Sequence, residues 1–454
     1  MAVSSPADVR IDLLDTVRLL HETLTESLCQ TVWLRNQKRE RAREWTLYAL
    51  GRFWTTAVLR GPVSLTHALE DSRKGSDADW PVVEASVQAF FQRCQTLAPR
   101  FFAELFGDFT ERLLVHSEPV FVSWAAALRE RFAEVWALDG SRLDAIAHRL
   151  KKLRDVRSVV LPGCLLAGYD LFRGVLRLLH FDPDAASSEF GRAIVALGKV
   201  PRESLVLADR LYPMPAFFAE LGERGVFGLF RRNARVTLTK VECLQKADGE
   251  LAGWPSKLED WLVDAGTGAT APRCRLRYLR LRCGRKTYEL LTNVLDPARL
   301  GAAEAFALYR ERWTIERTFL DLKQTLNLHR FYSANPNAVA MQVYAGAMVY
   351  NAMRVAQGRI AKSIPIEPER ISTAKLFPKI ARASAWSAGA DFGVLRVQML
   401  NPGVHLTLPD FHGEPSVTTT LGAILVEKRN GRRRKRRFSK NRARWIALPR
   451  ALQS

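Results

Sequence analysis

Carboxylates that could hold a metal ion occur at three places in this sequence. Asp139 ends the apolar run EVWALD, Asp209 ends the apolar run SLVLAD, and Glu316 lies within YRERWTIERTFLDLK. Oxygen ligands of this kind suit two hard divalent cations about 3.5–4 Å apart, the arrangement of metal-assisted phosphoryl transfer. An Asp that ends an apolar strand is also an ordinary turn residue. The three acids taken together, rather than either Asp alone, favour a metal site.

A helix through Glu316 would place it on one face with residues that can bind phosphate. Those residues are Tyr309, Arg312 and Lys323. At 100° per residue they fall within a stripe about 60° wide that includes Glu316. Glu311 and Asp321 fall about 140° away and are predicted to be solvated helix charges. A row of surface ion pairs would explain the same spacing, so both interpretations stay open.

The elements that would position Asp139 and Asp209 follow from hydrophobic patterning. Residues 134–232 predict the order β-β-β-α-β-α-β, with a turn at Gly140-Ser141 after the first strand. When a hairpin precedes the first helix of an open sheet, the strands that end in the two Asp residues can be neighbours. Ligand sites form at the carboxyl ends of such strands, where the connections diverge.

The rest of the chain divides by composition. We expect a helical N-terminal region, a first core part, a β-strand insertion, a second core part and a C-terminal region with a basic tail. These are residues 1–125, 126–235, 236–300, 301–360 and 361–454. Within them, 71–81 is predicted as a loop, 274–284 and 285–295 as a hairpin, 302–326 as one long helix and 338–356 as a buried helix.

The charge of the chain points to a polyanionic partner. The 454 residues include 68 Lys and Arg against 47 Asp and Glu, a formal net charge of +21. Nucleic acid is the leading partner class, followed by an anionic membrane surface. Segment 35–54 either lies along a phosphate backbone or is a surface helix with a charged face. In segment 428–444, 11 of 17 residues are basic and none is acidic.

The sequence lacks the motifs that usually indicate nucleotide hydrolysis, dinucleotide chemistry, esterase activity or zinc-protease activity. The sequence has no P-loop, G-x-G-x-x-G, G-x-S-x-G or H-E-x-x-H motif, and its six cysteines show no zinc spacing. The N-terminus has no secretory signal pattern. Segment 338–356 contains Gln342, Asn351 and Arg354, which indicates a buried helix rather than a membrane span. We therefore expect a cytoplasmic protein.

The motifs resemble those of a known family. The pattern Y-x2-R-x3-E-x6-K is matched with every spacing kept, and LDGS (138–141) and VLADRLY (206–212) are similar to the family's two Asp motifs. The chain thus resembles DDE transposases of the insertion-sequence-four type over roughly 134–356. The resemblance implies an α/β fold with an RNase-H-like catalytic core, interrupted by a β-strand insertion and preceded by a helical N-terminal domain that binds DNA.

The resemblance also implies the metal site. Asp139, Asp209 and Glu316 would be the catalytic acids and metal ligands, with Mg²⁺ as the ion and Mn²⁺ as a possible substitute. The implied reaction is a nick at the transposon end by a metal-activated water. The freed 3′-OH then attacks, by way of a hairpin in relatives, and later joins target DNA.

DNA contacts follow from the same resemblance. Phosphates near the 5′ end of the non-transferred strand would be held by Tyr309, Arg312 and Lys323, and Arg210 would be a further contact. Trp254 or Trp261 would stack on a flipped base, or would be buried structural residues. The implied partner is double-stranded DNA, both transposon ends and target. The implied assembly is a homodimer on DNA in the bacterial nucleoid, with no membrane association.

Three other functions remain open from the sequence. One is a catalytically inactive or domesticated DNA-binding protein that kept the fold. Another is an RNase-H-like nuclease that cuts without joining, which a strand-transfer assay would separate from a transposase. The last is a basic membrane-surface protein, for which 35–54 is the one candidate amphipathic helix.

Overall fold

A nine-stranded sheet runs through the computed structural model of this protein. The structure describes residues 10–35, 43–75, 78–143, 163–184, 187–251, 254–266, 273–328, 330–364, 366–387 and 417–426. The basic segment 428–444 lies outside the described residues, as does part of 35–54. Predictions for the charged parts of those two segments therefore stay predictions.

The N-terminal region is mainly helical, as the sequence predicts. Its elements are β1 (Arg10–Asp12), α1 (Asp15–Thr23), α2 (Glu26–Leu34), α3 (Leu47–Arg60), α4 (Leu65–Lys74), α5 (Val87–Thr96), α6 (Pro99–Leu114) and α7 (Leu128–Arg131). Helices α2 to α5 each begin after a Ser or Thr whose hydroxyl accepts a backbone N–H three residues on. Such caps satisfy donors that helix ends leave open. The predicted loop 71–81 is wrong at its start, because α4 continues through Lys74.

The predicted order of strands and helices in the core is confirmed. Its elements are β2 (Val135–Arg142), β3 (Cys164–Asp170), β4 (Val175–Asp182), α8 (Glu189–Ala196), β5 (Leu205–Ala208), α9 (Pro215–Glu223) and β6 (Phe227–Arg231). The first three strands form an antiparallel meander, and β5 pairs parallel with both β2 and β6. The connections from β2 and β5 thus leave the sheet in opposite directions, which creates a crevice between these two strands.

The inserted strands continue this sheet. They are β7 (Leu238–Leu251), β8 (Trp254–Ala265), β9 (Cys274–Cys283) and β10 (Lys286–Thr292). The predicted hairpin is confirmed as β9–β10, and the full strand order is β4-β3-β2-β5-β6-β10-β9-β8-β7. Strand β10 pairs antiparallel with β6, so its Lys286 end reaches past the carboxyl end of β6. The β9–β10 hairpin therefore projects beyond the edge of the sheet where Asp209 lies.

The predicted long helix 302–326 is interrupted. The chain forms α10 (Ala302–Arg310), turns at Glu311 and Arg312, and continues as α11 (Trp313–Leu320) and a π-helical turn, Asp321–Thr325. At the turn, the backbone N–H of Arg312 donates to the carbonyl of Tyr309, three residues back, at 3.2 Å. Such tighter bonds break the regular helical pattern, and π-helical turns are frequent at functional sites.

A central helix joins the N-terminal helices to the sheet. The remaining elements are α12 (Pro336–Ser363), α13 (Thr373–Ser387), β11 (Thr418–Thr420) and α14 (Leu421–Ile424). Helix α12 is buried for most of its length, as predicted for 338–356. The buried Asn351 side chain satisfies both the N–H and the carbonyl of Leu176 on β4. In the part of the chain that the structure describes, no helix is long and apolar enough to cross a membrane.

The sheet carries a hydrophobic cluster on each face. On one face, α10, α11, α12 and the N-terminal helices pack in a single cluster with residues such as Ala137 and Leu207. On the other face, α8 and α9 pack against residues such as Leu138 and Phe230. A mixed α/β fold is therefore confirmed. The RNase-H-like character of its core and the division into five regions stay predictions.

Candidate active site

Asp139 and Asp209 lie side by side at the crevice between β2 and β5. The last aligned pair of these parallel strands is Ala137 with Leu207; Asp139 lies two residues further along β2, and Asp209 directly follows the end of β5. By strand alternation Asp139 points to the same face as Ala137, which α11 covers. The predicted turn at Gly140-Ser141 is wrong, because β2 continues through both residues to Arg142 in register with β3. Asp139 thus sits inside a paired strand, which fixes its backbone more firmly than a turn would.

Arg312 connects the strand acids to the helix acid. Its guanidinium donates to Asp139 Oδ2 through Nη1 at 3.2 Å and to Glu316 Oε1 through Nη2 at 2.9 Å. Only 8 % of the Arg312 side chain is exposed, whereas 19 % of Asp139 and 28 % of Glu316 remain accessible to water. The sequence prediction that Arg312 and Glu316 share a face is confirmed, although the helix is broken between Tyr309 and Trp313.

Tyr309 and Lys323 reach the same edge of the sheet. The Tyr309 hydroxyl donates to the carbonyl of Ala208, the residue before Asp209, at 2.9 Å, and its side chain is buried. Lys323 Nζ donates to Ser141 Oγ at 2.6 Å and to the carbonyl of Arg142 at 2.5 Å. Each of these contacts ties the α10–α11 segment to the end of β5 or β2. The phosphate contacts expected of both residues stay predictions.

Glu311 and Asp321 lie off this face, as predicted, but they are not solvated. The Glu311 side chain is only 18 % exposed, and burial raises the pKa of its carboxyl despite the nearby Arg310. Burial also raises the pKa of Asp321 to about 6, against the opposing effect of Arg354. The prediction failed because helical angle alone does not show that α12 and neighbouring segments cover the opposite side of this helix.

The acids at the crevice interact electrostatically. Burial raises the pKa of Asp139 to about 7, and the charges of Asp209, Glu189 and Glu316 add to the rise while Arg312 opposes it. Desolvation and like charges both disfavour the ionised form of a carboxyl. Burial and the neighbouring carboxylates therefore act on the Asp139 carboxyl in the same direction.

Glu189 is a fourth acid that the sequence analysis did not single out. It is the first residue of α8, and it accepts a hydrogen bond from the Tyr212 hydroxyl at 2.5 Å. A Cβ at position 140 would overlap the Glu189 carboxylate, so Gly140 leaves room for that side chain beside β2. Tyr212 belongs to the VLADRLY segment, but only the fold brings α8 against that segment.

Cations beside the acids come from β5 and β6. Arg210 is exposed, and its carbonyl accepts a hydrogen bond from Asn233 at 2.9 Å. Arg231, at the end of β6, is a further cation that the sequence motifs did not predict. Burial lowers the pKa of its guanidinium, and the charges near it include Tyr309, Asp209 and Arg312. The two residues add positive charge to the rim of the crevice.

The two tryptophans lie on β8 in different settings. Trp254 begins β8 and pairs with Leu251, near the end of the projecting strands. Trp261 is half-buried, with Lys240 Nζ 3.9 Å and Lys246 Nζ 4.9 Å from its ring centroid. Lysines on an aromatic face favour a cation–π packing role for Trp261. The choice between base stacking and structural packing stays open for Trp254.

The donor set fits a hard divalent cation in its chemistry. Asp139, Asp209 and Glu316 supply carboxylate oxygens, the ligands that Mg²⁺ prefers. Among the described residues, no group of three or more His, Cys, Asp or Glu side chains is already arranged to hold a metal. Two of these acids instead share Arg312, whose Nε is buried without an acceptor. A positive charge is therefore already placed between the acids.

Comparison with known proteins gives two matches to transposases. Residues 163–352 match the family described as "Transposase DDE domain". A protein of Sinorhizobium fredii (strain NBRC 101917 / NGR234), named "Putative transposase y4zB", is 28% identical over 256 residues, or 52% of this chain and 70% of its own length. These matches support a DDE transposase. The family match contains Asp209 and Glu316, and it begins after Asp139.

Proposed function

We propose that this protein is a cut-and-paste transposase of the insertion-sequence-four type. In this proposal it cleaves DNA at transposon ends in a metal-dependent reaction and joins the freed ends to target DNA. The observation that supports the proposal is that Asp139 and Asp209 lie at the ends of the neighbouring strands β2 and β5, while Arg312 pairs with both Asp139 and Glu316. The transposase DDE domain match supports the same class of chemistry.

The three acids would hold Mg²⁺, or Mn²⁺ in its place. When bound, the ions supply activation of the attacking water or 3′-OH and stabilisation of the leaving oxygen. Asp139 and Asp209 are fixed by neighbouring parallel strands, and Glu316 is carried by α11, which packs on β2. Rigid strands and a packed helix keep carboxylates in place, which metal-assisted displacement at phosphorus requires.

The cations and the phenol on this edge would position the DNA. Arg312 would place its guanidinium charge beside the acids, where it favours a phosphate group. Lys323, Arg210 and Tyr309 lie along the same edge. Trp254 lies near the tip of the strands that project past this edge, where a base drawn out of the duplex could stack on it.

The implied partners follow from the reaction. The substrate is double-stranded DNA, both the transposon ends and the target, and the formal charge of +21 suits a polyanion. Joining two ends in one event calls for two active sites, so we propose a homodimer on DNA. The protein would act at the bacterial nucleoid, in the cytoplasm, without membrane association.

A strand-transfer assay tests this function. Purified protein is incubated with Mg²⁺, a labelled duplex that carries the sequences flanking the gene, and a supercoiled plasmid as target. We expect cleavage at the end sequence to leave a 3′-OH and a fraction of the label to join the plasmid. Cleavage without joining would instead indicate an RNase-H-like nuclease. Binding without cleavage would indicate an inactive DNA-binding protein.

A further inference from the structure

A polar cavity on the inserted strands lies outside the acid centre. It measures about 250 Å³ and is lined from four strands and the residue after β6. Its charged and aromatic lining residues are Arg232, Lys240, Arg280, Tyr278 and Glu289. Drug-sized ligands occupy pockets of about 300–1,000 Å³, so this cavity suits something smaller, such as a single phosphate with part of its nucleotide.

The lining carries more positive than negative charge. Three cations face one acid, Glu289, which already accepts a hydrogen bond from the Tyr278 hydroxyl and pairs with Arg232 Nη1 at 3.1 Å. Arg280 has a single long ion pair, 3.8 Å from Glu259 Oε2, and Lys240 lies over the Trp261 ring. The charge that remains after pairing is therefore positive.

Two donors in this lining have no acceptor. The Nε atoms of Arg232 and Arg280 are both buried and lack a hydrogen-bond partner, although 29 % and 26 % of the two side chains are exposed. A buried N–H without an acceptor costs about 1–3 kcal/mol, and more on a charged group. A ligand with oxygen acceptors would bring partners to the two guanidinium groups. Guanidinium groups match phosphate oxygens well in this respect.

The cavity lies at the same edge of the sheet as the acids. Asp209 is level with Arg231 in the β5–β6 register, and Arg232 is the next residue along. The cavity centres on β9, three strands from β5, or about 14 Å at a strand spacing of 4.7–4.9 Å. At about 3.4 Å of duplex per phosphate along one strand, that distance corresponds to about four base pairs.

We propose that this cavity binds a DNA backbone phosphate about four base pairs from the cleaved one. Arg232 and Arg280 are the residues that hold it, and Lys240 adds charge at the rim. The inference rests on the proposed function for the identity of the ligand. The cavity would be a second point of contact with DNA, on the face of the sheet that carries α8 and α9. Contacts at the acid centre and at the cavity, on opposite faces of one edge of the sheet, would fix the position of the duplex along the acids.

Duplex binding without a divalent cation tests the inference. Fluorescence anisotropy in EDTA compares wild type with Arg232→Gln, Arg280→Gln and the control Arg275→Gln. Arg275 lies on the same strand as Arg280 but on the opposite face, where it pairs with Asp264. Both cavity variants should bind several-fold more weakly, and each should reduce the slope of log K against log salt by about 1. The control should match wild type in its salt slope.

Ethylation interference locates the phosphate. Ethylation of one phosphate about four base pairs from the cut should weaken the binding of wild type and of Arg275→Gln. The same ethylation should have no effect on the binding of Arg280→Gln. The inference is wrong if both cavity variants match Arg275→Gln in three respects: duplex affinity, salt slope and the effect of ethylation. If Arg232→Gln lowers the unfolding temperature, Arg280→Gln carries the test, because it leaves the Arg232–Glu289 pair intact.

Inorganic phosphate separates DNA from a free anion as the ligand. If phosphate raises the unfolding temperature of wild type but not of Arg280→Gln while duplex binding is equal in both, the cavity is a free-phosphate site and the DNA inference falls. Because binding is measured in EDTA, a protein that binds with the expected salt slopes but never cleaves would contradict the proposed function alone.

Discussion

At the scale of single residues, Arg312 decides how the acid centre is organised. It neutralises Asp139 and Glu316 together from a position where only 8 % of its side chain is exposed. A buried guanidinium between two carboxylates keeps them close without the repulsion that would otherwise separate them. In the proposed function, the same residue would link the acids to substrate binding.

Glu316 and Glu311 differ in what their loss should change. Glu316→Gln should abolish metal-dependent cleavage while DNA binding and folding survive, because Glu316 is a ligand candidate. Glu311→Ala should lower the free energy of unfolding by about 1–2 kcal/mol, because Arg310 and Trp124 lose the buried carboxyl that they contact. Its cleavage rate per folded molecule should stay near that of wild type. Urea unfolding and a cleavage assay on both variants check this, and equal loss of cleavage in both would contradict it.

Gly140 should tolerate no side chain. A Cβ there overlaps the Glu189 carboxylate, so Gly140→Ala should displace Glu189 from Tyr212 and cost about 1–2 kcal/mol of stability. A double-mutant cycle with Tyr212→Phe isolates this effect. Because both changes break one hydrogen bond, their costs should be less than additive. Full additivity would show that Gly140 and the Glu189–Tyr212 pair act independently.

At the scale of elements, the break between α10 and α11 and the π-helical turn shape the site. Tyr309 lies before the break, Arg312 within it and Lys323 in the π-helical turn, yet all contact β2 or the end of β5. The segment therefore lies along one edge of the sheet. Its side chains are positioned by contacts with strands as well as by helical periodicity.

Lys323 should act on DNA more than on the metal. Its ammonium group contacts Ser141 and Arg142, whereas Arg312 is the residue between the acids. Lys323→Ala should weaken binding of an end duplex several-fold and leave Mn²⁺ affinity, followed by electron paramagnetic resonance, unchanged. Lys199→Ala, which removes an exposed lysine after α8, serves as the matched control. A parallel loss of Mn²⁺ affinity in Lys323→Ala would assign Lys323 to the metal site instead.

At the scale of the whole molecule, buried acids tie stability to pH. Burial, together with the nearby Glu134, raises the pKa of Asp170 to about 6, above its ordinary value of 3.8. The unfolded chain then loses this proton at lower pH than the folded chain. The free energy of unfolding should therefore fall by about 2–3 kcal/mol as pH rises from about 4 to 6, because of this group alone. Above that range its effect should level off.

Asp170→Asn tests this pH dependence. Its amide oxygen can still accept the backbone N–H groups of Phe172 and Arg173, but the side chain no longer ionises. Urea unfolding between pH 4 and 7 should show a smaller decline for the variant than for wild type. Parallel curves would mean that Asp170 titrates normally in the folded protein.

Local patterns predicted the elements of the core but not how they meet the rest of the chain. Apolar runs ending in Asp139 and Asp209 gave the right strands and the right neighbours, because strand order follows from chain topology. The contact of Glu189 with Gly140 depends on the approach of α8 to β2, and the burial of Glu311 depends on tertiary packing. Neither leaves a periodic signal in the sequence. The inserted strands likewise join the core sheet through the pairing of β6 with β10, two strands that β7, β8 and β9 separate in the chain.

The measurement that tests the central claim most directly is end cleavage with matched acid variants. Wild type, Glu316→Gln and Glu223→Gln are compared with Mg²⁺ on DNA that carries the sequences flanking the gene. Glu223 is an exposed acid at the end of α9, far along the chain from the crevice residues of α11. We predict that wild type and Glu223→Gln cleave at the ends, whereas Glu316→Gln binds the same DNA without cleaving it. Cleavage by Glu316→Gln at the wild-type rate would contradict a metal centre built from Asp139, Asp209 and Glu316.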